Sequence, residues 1–197
     1  MTRILIVSVL VLLLVGCAGP IIGGDAVTGS GKLVSRSFEL SGFTQIDANS
    51  VAEVEVTRGA AFGVEVEVDD NLESRLDVAV RGDTLYVKLQ NGMYDKFTLR
   101  ARVTMPELTG VKLNGASTLR GDLDGEDLDL DLNGASRATL TGAAGRMTVK
   151  VNGASRVEIN ASGAVSGKAN GASSIAVTGS PTSVDVRADG GGRVITK

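Results

Sequence analysis

The chain has 197 residues, of which 26 are Gly; aromatics make up 3%, His and Trp are absent, and the formal net charge is -3 at pH 7. Without His there is no Ser-His-Asp or Cys-His nucleophile system, no imidazole base and no His-bearing zinc motif, so enzyme readings start low. A pI near 5.1, with no segment that concentrates Lys and Arg, argues against nucleic acid as a partner.

The chain opens with Arg3 and an apolar run from Ile4 to Val15, shorter than the roughly twenty residues a membrane-spanning helix needs. Leu14-Val15-Gly16-Cys17 resembles the bacterial lipobox, in which the Cys becomes the lipidated first residue of the mature protein. Cys17 is the single Cys of the chain, so no disulfide competes for it. Residues 1–16 are therefore expected to be a lipoprotein signal peptide and Cys17 the membrane attachment. In a Gram-negative host, Ala18 rather than Asp after the Cys favours the outer membrane.

Residues 17–32, Gly- and Ser-rich around Pro20, read as a flexible tether. Within it, Gly29-Ser30-Gly31-Lys32 lacks the remainder of a phosphate loop, because Ala26 and Leu33 stand where Gly and Ser or Thr are needed.

Residues 33–197 are expected to form one all-β domain. From 33 to 105 the strands are irregular. The stretch around Asn49 matches the later repeat loosely, with Ile46 and Ala48 before it and Val54 and Val56 after it. Alternating segments then follow, separated by turns at Asp69-Asp70-Asn71 and Arg81-Gly82-Asp83. Antiparallel hairpins or wider coils are expected here, capping the first full rung, since an uncovered rung exposes a strand edge. Pro106 closes the last of these strands.

From 106 to 197 the chain repeats. Asn-Gly-Ala-Ser begins at Asn114, Asn133, Asn152 and Asn170, and Asp189 opens a fifth, divergent copy. Before each Asn the apolar residues alternate, as in Leu128, Leu130 and Leu132 or Met147, Val149 and Val151, and in the fifth copy Val184, Val186 and Ala188. The alternation resumes after the motif at Leu119, Ala138, Val157, Ile175 and Val194. Period two is a strand with one buried face. So short a unit cannot bury that face alone, and stacking its copies gives a parallel β-helix or solenoid with rungs of about 19 residues.

The motif is then a corner. Asn and Gly accept the positive φ of a sharp turn, Ala and Ser fit close packing, and stacked Asn side chains can hydrogen-bond as a ladder along the axis. A second reading has Ser117, Ser136, Ser155 and Ser173, beside Asn114, Asn133, Asn152 and Asn170, form a surface stripe for a ligand such as a glycan.

Several stretches taken in order are similar to those of the bacterial envelope family described as putative auto-transporter adhesin, head GIN domain. They are the lipobox, SRSFELSGFTQIDA, VEVDDNLESRLDVAVRGDTLYVKL, RVTMPELTGVKLNGAS and the recurring Gly-Ala-Ser corners, covering about residues 33 to 195. The resemblance implies a right-handed single-chain β-helix exported to the cell envelope, and brings no catalytic residues with it. This chain shows no translocator barrel, so the lipid is expected to anchor it.

Other candidate sites are weaker. The acidic run Asp122, Asp124, Glu126, Asp127, Asp129 and Asp131 occurs in one rung only, whereas calcium sites in solenoids repeat, so a solvated face is expected rather than a metal site. Asp69, Asp70 and Asn71 suit a turn better than calcium. Arg120, Arg137, Arg156 and Arg193 would line a groove if the protein acted on polysaccharides, but short turns leave no walls for an enclosed site. No cofactor is called for, and a monomer is expected. The leading reading is a non-enzymatic, lipid-anchored adhesin-like protein that binds a glycan, a matrix or a host protein. A periplasmic-facing structural or regulatory component comes second, and a polysaccharide-active enzyme third.

Overall fold

Short segments that alternate apolar and polar residues can bury their apolar faces only by pairing into sheets that pack on one another. In the computed structural model, which describes residues 26–124 and 127–197, they do so as a two-sheet parallel β-solenoid with an antiparallel cap.

The cap end holds β1 (Val27–Thr28), β2 (Leu33–Phe38), β3 (Gln45–Ala48), β4 (Glu53–Arg58), β5 (Gly63–Asp69), a 3-10 helix (Asp70–Arg75), β6 (Leu76–Arg81), β7 (Thr84–Leu89), β8 (Tyr94–Asp95) and β9 (Leu99–Met105). The regular part follows as β10 (Gly110–Leu113), β11 (Thr118–Asp124), β12 (Leu128–Leu132), β13 (Arg137–Ala144), β14 (Met147–Val151), β15 (Arg156–Ala161), β16 (Ala164–Gly171), β17 (Ser174–Gly179), β18 (Ser183–Gly190) and β19 (Arg193–Thr196). Even-numbered strands from β10 to β18 continue through β3 and β7 to β6 in one sheet, here called the first; odd-numbered strands from β11 to β19 continue through β4, β9 and β5 to β2 in the second.

Every pairing from β10 onward is parallel and joins equivalent positions, as in Leu113 to Leu132 and Leu132 to Val151, apart from a register shift between Leu140 and Ala144 where β13 pairs with β15. Inward positions stack as one apolar column per register: Val111, Leu130 and Val149 in the first sheet, and Leu119, Ala138, Val157 and Ile175 in the second, all buried. Burying each Leu, Ile or Val contributes roughly 1.5–3 kcal/mol, and no rung could bury its set without neighbours on both sides. The fifth copy shows this dependence. Val184 and Val186 are half-buried and Ala188 is exposed, because among the described residues β18 has a pairing partner on one side only.

The cap differs from a simple continuation. β3 and β4 form a rung of their own, with Ala48 paired to Leu113 on one side and to Val87 on the other. The chain lays down this rung first, builds the cap outward through β5 to β9, and then crosses from Met105 to Gly110, past β3 and β4, to start the regular stack. Antiparallel pairs β2–β5, β5–β9 and β6–β7 close the end. The Asp69-Asp70-Asn71 stretch leads into the 3-10 helix, whose Leu72 plugs the core, rather than into a hairpin turn.

The stretch read as the end of a free tether is docked from residue 26 onward. β1 pairs with β8, and the buried carboxylate of Asp69 accepts from the backbone N–H of Gly31 at 2.6 Å and of Thr98 at 2.7 Å. Asn71 accepts from the Ser30 N–H at 3.0 Å and donates to the Thr28 carbonyl at 2.8 Å. A short polar segment cannot hold itself in place, so the signal lay in residues some forty positions away. Cys17 and the rest of the expected tether lie outside the described residues.

Candidate functional site

The repeated corner sets the geometry of everything around it. Gly115, Gly134, Gly153 and Gly171 have φ of 76°, 82°, 78° and 73°. The corners also stack so closely that a Cβ on Gly134 would collide with the carbonyl oxygen of Gly115. That carbonyl accepts the Ala135 N–H at 2.7 Å, and Gly134 accepts the Ala154 N–H at the same distance.

The four Asn side chains are half-buried and linked. Asn133 donates its Nδ2 to Asn114 Oδ1 at 3.4 Å, Asn152 to Asn133 at 2.9 Å, and Asn170 to Asn152 at 2.8 Å. The serines point inward instead of forming a stripe: Ser117, Ser136, Ser155 and Ser173 are at most 1% exposed. Ser117, Ser136 and Ser173 donate their hydroxyls to the carbonyl three residues back, at 2.8–2.9 Å. Ser155 instead donates to the Gly134 carbonyl at 3.3 Å and accepts the Ser136 N–H at 3.1 Å. A small hydroxyl that meets its own hydrogen bonds can be buried at the corner without a desolvation penalty, whereas an exposed one would leave the turn carbonyls unpaired. No ligand can reach these hydroxyls without opening the corner, and the corner's exposed tip is Gly and Ala.

What the corner does display is the residue after it. The first outward position of the second sheet runs Glu67, Arg100, Glu53, Thr118, Arg137, Arg156, Ser174, Arg193 in register. At the cap end this column is charge-balanced. Arg100 bonds Glu53 at 3.0 Å and Glu67 at 3.3 Å, and those hydrogen bonds, Glu53 first, push its pKa upward. The next outward column repeats the pattern with Arg102 on Glu65 at 3.6 Å.

Beyond β11 a single outward carboxylate, Glu158 on β15, remains on this sheet among the described residues. Arg120, Arg137, Arg156 and Arg193 are exposed, and none makes an ion pair among the described residues; Arg156 Nε donates to Ser174 Oγ at 3.3 Å. An open depression of about 890 Å³ lies across these distal rungs, with Thr139, Thr141, Asn160, Ser174 and Thr178 beside Arg156, Arg193 and Lys197. Glu158 is the one carboxylate that lines it.

The first sheet divides its charge the same way. Asp47, Lys112, Asp131 and Lys150 alternate across four paired strands, and Lys168 and Arg187 then continue the column as cations alone. Burial pushes the Asp47 carboxyl upward, against the pull of Lys112 and Lys88.

The acidic run does not converge. Asp122 accepts from the Thr141 hydroxyl at 2.9 Å and Asp124 pairs with Arg58 at 3.4 Å, both at β11 in the second sheet. Asp127 pairs with Arg146 at 3.6 Å, and Asp129 and Asp131 belong to the first sheet. Glu126 lies outside the described residues. No group of three or more Asp, Glu, Cys or His among the described residues is arranged to hold a metal. Asp69 and Asn71 spend their side chains on the backbone of residues 28–31 and 98.

The distal arginines could be found in the sequence only by aligning rungs. Arg137, Arg156 and Arg193 each follow a corner directly, and counting charge along contiguous segments hides a column assembled from one residue in each rung.

Fold and surface together define a solenoid whose polar outer faces are open and whose interior, among the described residues, holds apolar side chains, the satisfied corner serines and the Asp69 carboxylate of the cap. The chain belongs to the family described as putative auto-transporter adhesin, head GIN domain, whose model matches residues 42–197. No curated protein matches it. Among solved structures, a putative adhesin from Bacteroides fragilis NCTC 9343 shares 18% identity at a TM-score of 0.54, covering 87% of this chain and 100% of that one. A putative adhesin from Parabacteroides merdae ATCC 43184 shares 18% identity at a TM-score of 0.52, covering 88% of this chain and 100% of that one. At that identity the likeness is one of fold.

Proposed function

We propose that this protein is a non-enzymatic, adhesin-like protein of the bacterial envelope, held to the membrane through a lipid on Cys17, that binds a glycan or matrix ligand on the outer face of its second sheet. The observation that carries the reading is the change along that face, from paired Glu and Arg at the cap to unpaired Arg among hydroxyls and an amide over the distal rungs. Membership in a family described as an adhesin domain supports it. Surface charges that neutralise one another offer a ligand little, whereas unpaired guanidinium groups beside hydroxyls keep their hydrogen-bonding capacity for it.

An enzyme acting on polysaccharides needs a walled site and, in the usual chemistry, two carboxylates across the scissile bond. The depression is open and has one carboxylate, Glu158, which favours binding over turnover. The test is adhesion of cells that express the full-length protein to surfaces coated with glycans or matrix proteins, compared with cells carrying an empty vector. Expression should raise retention on at least one coating. Equal retention on all of them would reject the adhesin reading.

A further inference from the structure

We infer that the ligand of this face is an acidic polysaccharide, laid along the solenoid axis across the strands of the second sheet, with its carboxylate or sulfate groups on Arg137, Arg156 and Arg193. The inference rests on the adhesin reading and adds the chemistry and direction of the ligand.

The direction follows from the register. Arg137 and Arg156 are direct neighbours on paired strands, and Ser174 separates Arg156 from Arg193. Neighbouring strands lie about 4.8 Å apart, so the three guanidinium groups start from points at roughly 0, 5 and 14 Å along the axis. Along any one strand the pattern is different: the outward residues after Arg156 are Glu158 and Asn160, and those after Arg137 are Thr139 and Thr141. A linear polyanion that meets more than one of the arginines must therefore cross the strands, with the hydroxyls and the Asn160 amide beside it.

The acidic character follows from charge. Residues 137–197 contain eight Lys and Arg against three Asp and Glu, inside a chain that is acidic overall. Elsewhere on the same sheet each outward Arg of β9 has a Glu partner. Guanidinium groups bind carboxylates and sulfates through paired N–H donors, and those of the distal rungs are already exposed and unpaired, so binding breaks no ion pair.

Location agrees with a ligand met away from the attachment point. Residues 26–32 dock on the cap, and the arginine column lies in the rungs that the sheet order puts farthest from it. The interval between Arg156 and Arg193, spanning two strand spacings, makes a repeating polymer a better match than a compact anion, which could bridge the neighbouring pair Arg137 and Arg156 but not reach all three.

The experiment uses the full-length protein purified in detergent and immobilised, with polygalacturonate and dextran sulfate as acidic probes, and neutral dextran and single-stranded DNA as controls. Both acidic polysaccharides should bind at 50 mM salt and weaken as salt rises, and dextran should not bind. The triple variant Arg137→Gln, Arg156→Gln, Arg193→Gln should lose about tenfold in affinity, given roughly twofold to threefold for each exposed charge pair. A matched triple on the opposite face, Lys150→Gln, Lys168→Gln, Arg187→Gln, should stay within about twofold of the parent. All six side chains are exposed, so the thermal unfolding of both variants should match the parent and exclude misfolding as a cause.

Equal losses from the two triples, or equal binding of DNA, would reduce the effect to general electrostatics and overturn the assignment. Binding of dextran unaffected by the arginine triple would also overturn it, while leaving the adhesin reading intact. Binding of neither acidic probe by a protein whose cells still adhere to a coated surface would reject the acidic ligand alone; loss of adhesion as well would reject both.

Discussion

Replacing Gly134 by Ala adds a single methyl group at an exposed position, where most substitutions do little, yet it should destabilise the solenoid by about 2 kcal/mol. Gly134 sits at φ 82°, and an L-residue pays roughly 1–2 kcal/mol in the left-handed region. The new Cβ meets the Gly115 carbonyl, and moving that group away loosens its bond from the Ala135 N–H, for about another 1 kcal/mol. The lost freedom of the unfolded chain returns about 0.4–1 kcal/mol. Position 50 offers the reciprocal case. Ser50 stands where the other corners have Gly, at φ 73°, and its carbonyl accepts the Ala116 N–H at 3.1 Å. Ser50→Gly should therefore stabilise the fold by about 1 kcal/mol. Urea unfolding followed by circular dichroism would read both as midpoint shifts at constant slope. A Gly134→Ala midpoint within experimental error of the parent, or a Ser50→Gly variant less stable than the parent, would refute the account of the corner.

Three further substitutions probe other parts of the structure. Asn152→Ala removes the middle of the ladder and leaves Asn133 Oδ1 and Asn170 Nδ2 without their partner, so it should cost about 1–3 kcal/mol in the same urea assay, more than removal of Asn114 at the end of the column. Asp69→Ala orphans the N–H groups of Gly31 and Thr98; hydrogen exchange should accelerate across residues 26–32 while the rungs from β10 to β18 keep their protection. Asp47→Asn tests the half-buried carboxylate of the first sheet. Because burial raises its folded pKa above the unfolded value, the ionised group opposes folding above the folded pKa and ceases to do so as pH falls below the unfolded one. The substitution should thus stabilise the protein at pH 7, with a gain that shrinks as pH falls through the carboxylate range. A gain that grew on acidification would contradict the sign of the shift.

The regular half of the molecule was legible because its information is periodic. Leu128, Leu130 and Leu132 declare a half-buried strand, and the recurrence of the same pattern before Asn152 identifies its neighbour, so strand order and register both follow from one repeat. The corner was legible in part. Asn and Gly behave as their backbone chemistry requires, but the same four letters left the direction of Ser open, and it is the unpaired turn carbonyls that draw the hydroxyls inward. The cap was less legible, since β3 and β4 enter the stack between strands that come later in the chain and nothing local records that order. Asp69 and Asn71 read as turn formers because their partners, Gly31 and Ser30, lie some forty residues away in a stretch whose composition suggested a tether. The arginine column needed rung alignment as well as charge: Arg156 alone is an ordinary surface residue, and its meaning comes from Arg137 and Arg193 above and below it.

Distal rungs that meet a ligand outside the cell must be exposed on its surface. The most direct measurement is protease accessibility of the full-length protein on intact cells, read through an epitope tag after Lys197 with lysed cells as the control. The tag should be lost from intact cells while a periplasmic marker survives. A tag that survives on intact cells and is lost only after lysis would put the arginine face on the inner side of the envelope and contradict the adhesin reading.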